Sequence, residues 1–374
     1  MKIFIAAAAL ALALNAGSPL VIHAAETAVA PTISINPVSD RLVLPAPKSG
    51  RARPLVAIVA GEGGAETTDF IIPFGVLKES GLADVRTVSP QAGPVQLLRT
   101  IRVQPDQTFA EFDAAAPDGA DIIIVPAQGR PDSPALLAWI RDQAAKGAVI
   151  VSICEGARVL AAADLLQRKR VTTHWGAIDG LEKAHPEATW VRDARYVQDG
   201  TLISTTGVAA SLPASLALVE AIGGPEAAHS VAGRLGVRDW STRHRTADFQ
   251  IGTGDYMRAA GALGAFWRHE TVAAPVSAET DEIALALKTD AWGRGLRAKV
   301  LISGADTAPI RTRRGLVILP DTRSTGAGRY ILSPGDAPAG DQLRMTLDEM
   351  TRRYGAPAAR LAILGMEIDA KDLQ

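Results

Sequence analysis

The first two thirds of the chain alternate short apolar runs with amphipathic stretches. Runs such as LVAIVA at 55–60 are typical of strands buried on both faces of a parallel sheet. Between them apolar residues recur at helical spacing, as at 69–80, where Gly81 follows as a stop signal. The same criteria predict these further elements: strands at 85–89, 121–126, 148–153 and 202–205, a small hairpin around 101–104, and helices at 133–146, 156–166 and 212–222.

Strands that alternate with helices of this length predict a parallel sheet with right-handed crossovers. We therefore expect an α/β fold, a flavodoxin-like sandwich with a parallel central sheet and helices on both faces. Aromatic residues make up only 5% of the chain, whereas Gly and Ala are abundant. This composition suits close packing of helices on aliphatic strands.

The last hundred or so residues follow a related pattern. The stretches 83–106 and 298–321 both run strand, Ala/Gly turn, Pro, and then a strand that ends in Pro-Asp. The region thus reads as a C-terminal α/β extension that is either a degenerate half-repeat of the first domain or a generic β-α-β resemblance.

The stretch 331–366 also mirrors 123–154. Each reads as a strand ending in Pro, a loop, an amphipathic helix, a Gly and another apolar strand. On this interpretation Met366 takes the place of Cys154, so the half-repeat has no nucleophile and is structural or interface-forming.

The N-terminus is typical of a secretory signal peptide. Lys2 supplies a positive start, Ile3 to Leu14 is an apolar core of the right length, and small residues end near Ala24. We expect export to the periplasm or secretion, with an ordinary N-terminal anchor helix as the alternative. Since no later segment reaches ~18 uninterrupted apolar residues, we expect no membrane association after cleavage.

Charge and cysteine content narrow the classes of partner. Lys and Arg number 39 against 40 Asp and Glu, so the sequence shows no electrostatic footprint for nucleic acid. The single cysteine, Cys154, excludes a disulfide within the chain and a cysteine-rich metal site. Gly61–Gly64 lacks the G-x-G-x-x-G order of a dinucleotide site. We expect a small-molecule substrate or ligand, with no cofactor and no metal.

Cys154 stands where a buried strand meets an Ala-rich helix. This junction is typical of a nucleophile elbow, in which a sharp turn projects one side chain above the carboxyl edge of the sheet. The small residues Gly156 and Ala157 would let the helix pack closely behind it. The helix N-terminus would then favour the thiolate. The alternative is a buried, inert cysteine.

The segment ICEGARVLAAADLLQRKRVTTHW at 153–175 resembles the ThiJ/PfpI superfamily of class I glutamine-amidotransferase-like proteins. The resemblance is to the branch that includes isocyanide hydratase and the N-terminal domain of AraC-type regulators. Similar stretches lie at 54–73 and 199–224, so the resemblance covers about residues 54–245. It implies the flavodoxin-like fold and homodimerisation, in which the half-repeat could replace a partner.

These observations divide the chain into four parts. They are a signal peptide (1–24), a linker rich in Pro and Ser (25–53), a ThiJ/PfpI-like domain (54–245) and the C-terminal extension (246–374). The regulators of the family continue into a helix-turn-helix domain. Because this chain shows no such tail and reads as exported, we expect no DNA-binding role.

The resemblance assigns further catalytic residues. In the family a carboxylate that begins the first helix, four residues before a Pro, lies beside the elbow cysteine, and Asp69 has this place relative to Pro73. Such a carboxyl could hold a proton and act as a general acid and base. Alternatively, Asp69 caps its helix. His174 is a weaker candidate for a Cys–His pair and otherwise a structural histidine.

Other residues are candidates for the substrate or oxyanion site. Ala127 and Gln128 follow a strand and could supply backbone N–H groups, and Thr206 ends another strand; ordinary loop capping is the alternative. Many hydratase-like relatives have Thr where this chain has Glu155, which puts isocyanide hydration in doubt. Gly156, as the small residue of the elbow, completes the set.

Two classes of function follow. The first is a cysteine-dependent hydro-lyase or hydrolase of the isocyanide hydratase type, which acts on a small electrophilic substrate. The second is a non-enzymatic periplasmic module that binds a ligand or senses peroxide through a thiol of low pKa. Loss of turnover in Cys154→Ala would distinguish the enzyme from the sensor.

Overall fold

The computed structural model describes residues 41–264, 267, 269–323, 330–332 and 337–369. The predicted signal peptide lies outside these residues. Within them, no helix is long and apolar enough to cross a membrane.

Eleven strands belong to the first part of the described chain. They are β1 (Leu55–Val59), β2 (Asp84–Ser89), β3 (Val95–Gln96), β4 (Arg102–Gln104), β5 (Gln107–Thr108), β6 (Ile122–Val125), β7 (Val149–Ser152), β8 (Arg170–Val171), β9 (Thr189–Trp190), β10 (Tyr196–Asp199) and β11 (Leu202–Thr205).

Seven of these strands form the main sheet, in the spatial order β10-β11-β7-β6-β1-β2-β5. All neighbouring pairs in it are parallel except β10 and β11, which are antiparallel. The predicted α/β sandwich with a parallel central sheet is therefore confirmed. Strands β8 and β9 form a separate small parallel pair.

Eight helices accompany these strands. The first ends as predicted, because Gly81 adopts the left-handed conformation at φ +67° and its N–H donates to the Lys78 carbonyl. The helices are α1 (Thr67–Ser80), α2 (Phe109–Ala115), α3 (Pro134–Ala145), α4 (Ala157–Ala162), α5 (Trp175–Ala184), α6 (Ser211–Gly223), α7 (Pro225–Leu235) and α8 (Thr253–Gly264), and 3₁₀ turns lie at Cys154–Gly156, Val208–Ala210 and Thr246–Asp248.

The strands are buried on both faces. Along β1, Val56 and Ile58 join one apolar cluster and Ala57 and Val59 join the other, as the two-residue period of a strand requires. The first cluster includes residues of α1, α6 and α7, and the second includes residues of α2 to α5. This double layer explains why the strand sequences are almost continuously apolar.

The C-terminal part contributes two further sheets and three helices. One sheet is entirely parallel, in the order β16-β13-β12-β17, and the other joins β14 and β15 to β4 and β3 in antiparallel fashion. The elements are β12 (Glu270–Pro275), α9 (Glu282–Arg294), β13 (Ala298–Gly304), β14 (Ile310–Arg311), β15 (Val317–Leu319), β16 (Thr322–Arg323), β17 (Tyr330–Ile331), α10 (Ala339–Tyr354) and α11 (Ala356–Met366).

Three local predictions differ from the structure. The apolar stretch before Met366 is helix α11 and not a strand, so this segment does not reproduce the elbow at Cys154. The elbow helix is shorter than predicted, with a 3₁₀ turn before the six residues of α4. The described end of the predicted linker is packed on the domain, because Leu42 is buried and Arg51 pairs with Asp121 at 2.8 Å.

Candidate functional site

Cys154 lies at a strained turn directly after β7. Its φ is +56°, a left-handed conformation that costs a non-glycine residue roughly 1–2 kcal/mol. Hydrogen bonds to the N–H and the carbonyl of Cys154 hold the turn. The Cys154 N–H donates to the Thr206 carbonyl at 3.1 Å, and the Thr173 hydroxyl donates to the Cys154 carbonyl at 2.8 Å. Strain of this kind accumulates at functional sites, and here it sets the direction of the thiol.

Gly156 allows the turn to pack against the neighbouring strand. A Cβ at this position would lie 2.2 Å from the carbonyl oxygen of Val125 at the end of β6. Every other residue type would therefore push the elbow away from the sheet. The close approach that the sequence predicted for this small residue is present.

Asp69 is fully buried and reaches away from its own helix. Its Oδ2 accepts the N–H of Ala127 at 3.2 Å, and its Oδ1 accepts the hydroxyl of Ser211 at 3.3 Å. The N-cap position of α1 is Glu66, which forms no side-chain cap. The alternative role of Asp69 as a helix cap is therefore wrong, and its carboxyl instead joins three separate segments of the chain.

Burial sets the protonation of this pair of groups. Burial, and then the nearby Glu66 carboxyl, raise the pKa of Asp69 well above its usual range. Burial, and then the carboxyl of Asp69, also raise the pKa of the Cys154 thiol well above its usual value. The net shift is opposite in direction to the lowered thiol pKa that the sequence predicted, because desolvation of the buried thiol is the largest effect.

A buried cluster of charged side chains lies beside Asp69, and the sequence analysis did not predict it. Arg99 contacts Glu66 at 3.3 Å and Asp290 at 3.0 Å, and Arg294 contacts the same two carboxylates at 3.1 and 3.0 Å. Asp290 and Arg294 belong to α9, so the C-terminal part contributes charge close to the thiol. We refer to Glu66, Arg99, Asp290 and Arg294 as the charge cluster.

The pKa values of the two carboxyl groups in the charge cluster shift in opposite directions. Burial raises the pKa of Glu66 despite its arginine partners. Burial also opposes the charge of Asp290, but Arg294 and Arg99 together hold its pKa below its usual value. Although burial disfavours the charge of Arg294, Asp290 and Glu66 raise its pKa further, so it stays cationic. The Arg294 guanidinium in turn acts to lower the pKa of both Asp69 and Cys154.

His174 has a structural position at the start of α5. Its Nδ1 accepts the N–H of Gly176 at 3.1 Å, which caps the helix. Burial lowers its pKa, while the carboxylate of Glu367 acts in the opposite direction. The neutral ring is thus favoured. Because Nδ1 is occupied by the cap, this nitrogen cannot serve as a base for the thiol while the helix is intact.

Glu367 is a further residue to which the sequence analysis assigned no role at the site. Its buried carboxylate accepts the N–H of Gly207 at 2.7 Å and the N–H of Trp175 at 3.1 Å, and it lies 2.9 Å from the His244 Nε2. Gly207 follows Thr206, which holds the elbow. The end of the described chain therefore binds the loops that surround Cys154.

The predicted oxyanion residues are largely engaged with the protein itself. The N–H of Ala127 donates to Asp69, so it is available to an oxyanion only when that bond is released. For Gln128 the predicted donor is the backbone N–H, which stays a prediction, whereas its side chain accepts the N–H of Gly61 and donates to the carbonyls of Val59 and Pro126. Gln128 thus connects the loops at the ends of β1 and β6.

Thr206 and Glu155 also have partners. The N–H of Thr206 donates to Arg195 and its carbonyl accepts from Cys154, so its backbone supports the elbow. The Glu155 side chain is 30% exposed and pairs with Arg158 at 2.5 Å. It still acts to raise the thiol pKa of Cys154. Across the described ranges, no group of three His, Cys, Asp or Glu side chains is placed to hold a metal ion.

The site and the sheet around it define an α/β protein with a cysteine in a strained strand-to-helix turn, near a buried carboxyl whose pKa is raised. Residues 55–221 match the family model of the DJ-1/PfpI family, and the chain belongs to this family.

Relatives of the chain agree with this assignment. The chain is 31% identical over 190 residues to the Parkinson disease protein 7 homolog of Danio rerio, which covers 49% of this chain and 97% of that protein. It is 33% identical over 168 residues to isonitrile hydratase of Pseudomonas putida, covering 44% of this chain and 70% of the relative. It is 35% identical over 100 residues to the HTH-type transcriptional regulator CdhR of Pseudomonas aeruginosa, covering 27% and 30% respectively. The family thus includes hydratases and regulators.

Proposed function

We propose that this chain is an exported enzyme in which Cys154 attacks an electrophilic carbon of a small molecule, in hydratase-like or hydrolase-like chemistry. The observation that carries the proposal is the strained turn at Cys154, which the fold maintains at a cost next to the buried carboxyl of Asp69. A purely structural cysteine would need neither the left-handed backbone nor a proton-holding neighbour.

The raised pKa values define how the proton moves. At rest both the thiol and the Asp69 carboxyl favour their neutral forms. A carboxyl whose pKa is raised can accept and return a proton near neutral pH. As the sulfur–carbon bond forms, the thiol proton passes through Asp69 to the substrate, and Ser211 keeps the carboxyl oriented through its 3.3 Å bond.

An isonitrile is the substrate class that best fits a neutral thiol beside a proton carrier. Glu155 speaks against this class in the sequence, but its ion pair with Arg158 limits the negative charge that it places near the thiol. The sulfur adds to the terminal carbon and the proton is delivered to the same carbon. Water then adds there, the carbon–sulfur bond breaks, and a substituted formamide leaves with the thiol restored. The relative from Pseudomonas putida is named an isonitrile hydratase, which supports this class. Other relatives are named deglycases, and these make carbonyl adducts the second class to test.

Turnover tests the proposal. The wild-type chain, Cys154→Ser and Asp69→Asn are incubated with an alkyl isonitrile and, separately, with a glyoxal-modified amino acid. Product formation that is lost in Cys154→Ser and strongly reduced in Asp69→Asn supports the proposal. Asp118→Asn, which precedes β6 at the opposite end of the strands from Cys154 and has a half-exposed side chain, is the matched control and should keep its activity.

The outcome that contradicts the proposal is also defined. Absence of turnover on both substrate classes, together with stoichiometric oxidation of Cys154 by peroxide, would replace the enzyme with a redox-sensing module. The buried thiol and its raised pKa oppose that outcome, because peroxide reacts with thiolates. Ligand-induced stabilisation without turnover would instead indicate a binding module.

Export is a separate part of the proposal and rests on the sequence of the first residues. Lys2, the apolar core from Ile3 to Leu14 and the small residues before Ala25 support it. Expression in a Gram-negative host followed by osmotic shock and mass spectrometry tests it. A periplasmic protein that starts near Ala25 is expected, and an intact cytoplasmic chain contradicts export.

A further inference from the structure

Two segments of the chain carry the same elements in the same order. The first copy, residues 55–108, contains β1, α1, β2, β3, β4 and β5, and the second copy, residues 270–323, contains β12, α9, β13, β14, β15 and β16. One numbering offset relates them throughout. The first residues of β1 and β12 match at this offset, as do the last residues of β5 and β16, without any insertion or deletion between them.

The two copies also pair their strands in the same way. In the first, the parallel order is β5-β2-β1-β6, and in the second it is β16-β13-β12-β17. Generic β-α-β units share a right-handed crossover, but they do not keep one residue register through two strands, a helix and a hairpin. This agreement favours a repeat over a chance resemblance.

Local bonds are repeated as well. The N–H of Thr87 donates to Asp106 at 2.8 Å, and at the same offset the N–H of Ile302 donates to Asp321 at 2.9 Å. Residues are identical at these matched positions: Ala83 and Ala298, Val85 and Val300, Pro94 and Pro309, Arg99 and Arg314, Pro105 and Pro320, and Asp106 and Asp321.

The copies face each other about a pseudo-two-fold axis. Strand β4 pairs antiparallel with β15 so that Val103 lies opposite Ile318, its own counterpart at the offset, as a two-fold axis requires. Helix α1 packs on α9 in the same reciprocal manner. A Cβ on Gly75 would lie 2.5 Å from Ile283, and the counterparts of these two residues, Asp290 and Thr68, are hydrogen-bonded at 3.3 Å.

Two arginines complete the reciprocity. Arg99 links the start of its own helix, at Glu66, to the C-terminal part of the other helix, at Asp290, one turn before its end. Its counterpart Arg314 links the start of its own helix, at Asp281 (3.0 Å), to the last turn of the other helix, at Glu79 (2.8 Å). Exchanged contacts of this kind are the signature of an isologous dimer interface.

We propose that the second copy is a covalently attached second subunit. Within one chain it covers the face formed by α1 and β4, on which another copy of the domain would dock. The protein is then a monomer with a single site. The partner that this face fits is thus a degenerate copy of itself, already present in the same chain.

The departures from symmetry explain why only one site remains. The counterpart of Asp69 is Ala284, and the chain has one cysteine in all. The counterpart of Arg294 is Glu79, so an arginine stands at this matched position only at the end of the axis near Cys154, where it contacts Glu66. The second copy thus retains the interface and supplies Arg294 to the site of the first copy.

A disulfide placed across the axis tests the proposal. Gln104 and Val317 are half-buried and lie opposite each other on β4 and β15. The variant Gln104→Cys/Val317→Cys is prepared in a full chain that also carries Cys154→Ser, and each single cysteine variant is the control. After mild oxidation at low protein concentration we expect a disulfide within one chain, seen as faster migration on a non-reducing gel and loss of both free thiols.

Light scattering on the unmodified wild-type chain provides a second measurement that needs no variant. We expect the mass of one chain at every concentration. A two-chain mass overturns the proposal, as does a disulfide between chains in the double variant. A folded double variant, checked by circular dichroism, in which the two thiols stay free would also overturn it, because β4 and β15 would then not be paired.

Discussion

Arg294 lies 3.1 Å from Glu66, and this ion pair connects the C-terminal part of the chain with the helix that carries Asp69. Both side chains are at most 8% exposed, so neither charge is screened by water. Removal of one partner from such a pair leaves an uncompensated buried charge. The pair therefore couples the stability of the C-terminal part to the protonation of the site.

Arg294→Met should lower the free energy of unfolding by about 3–5 kcal/mol, the usual cost of breaking a buried ion pair. It should also raise the pKa of the Cys154 thiol, because the guanidinium acts to lower it. Urea unfolding and the pH dependence of alkylation measure the two effects.

Arg314→Met is the matched control for this variant. Arg314 is similarly buried between Glu79 and Asp281, but at the other end of the pseudo-axis. The Arg314→Met variant should lose a comparable free energy of unfolding and leave the pKa of the Cys154 thiol unchanged. An equal shift of the Cys154 pKa in both variants would show that Arg294→Met acts only through a general destabilisation of the fold.

The alkylation rate of Cys154 with iodoacetamide should reach half its maximum above pH ~8.5, the usual thiol value, because burial and the Asp69 carboxyl raise the thiol pKa. Asp69→Asn removes the negative charge and should move the midpoint to lower pH. Asp118→Asn, a surface change, should leave it in place. A wild-type midpoint at or below pH ~8.5 would contradict the conclusion that burial raises the pKa of the Cys154 thiol.

Asp69 should also give stability a specific pH dependence. Its pKa in the folded chain lies above the ordinary 3.8, so the folded state binds more protons than the unfolded state above that pH. The free energy of unfolding then falls as pH rises, by up to about 1.4 kcal/mol for each pH unit until the folded pKa is passed.

Asp69→Asn removes this slope. Unfolding in urea from about pH 4 to about pH 8 should show the variant gaining stability relative to wild type as the pH rises. Asp118→Asn should follow the wild-type curve. A difference between Asp69→Asn and wild type that does not change with pH would mean that Asp69 is not protonated in the folded chain.

Gly156→Ala should destabilise the fold by about 1–3 kcal/mol, the usual cost of overpacking, because the added methyl meets the Val125 carbonyl. Gly180 in α5 has no atom within 4 Å of an added Cβ. Gly180→Ala should therefore gain up to about 1 kcal/mol from helix propensity. Thermal unfolding of both variants measures the contrast, and an unaffected Gly156→Ala would exclude the close packing of the elbow.

The elements of the main sheet were predictable because their sequences are unambiguous. The strand at 202–205 and the helix that ends before Gly81 have the predicted bounds or nearly so, since apolar runs and a left-handed glycine are local signals. The stretch 356–366 was predicted as a strand but is a helix. Apolar runs of this length suit either state, and Pro357 at the start of the helix was the signal that favoured it.

The site was predictable only where its residues are adjacent to the elbow or to a motif. Cys154 and Asp69 were found in this way. Arg294 and Glu367 were not, because their partners are far away in the chain and only the tertiary fold brings them together. Glu66, three residues before Asp69, could have been found, since the N-cap residue and the third residue of a helix lie next to each other.

At one pair of matched positions the first copy has Glu79 and the second copy has Arg294. This difference has a consequence for how such a protein evolves. In a homodimer every substitution appears twice, so a change that improves one end of the axis must be tolerated at the other. Two copies joined in one gene are released from this constraint. One end can specialise for chemistry while the other loses its nucleophile and is retained for packing, and the division of labour is inherited as a single unit.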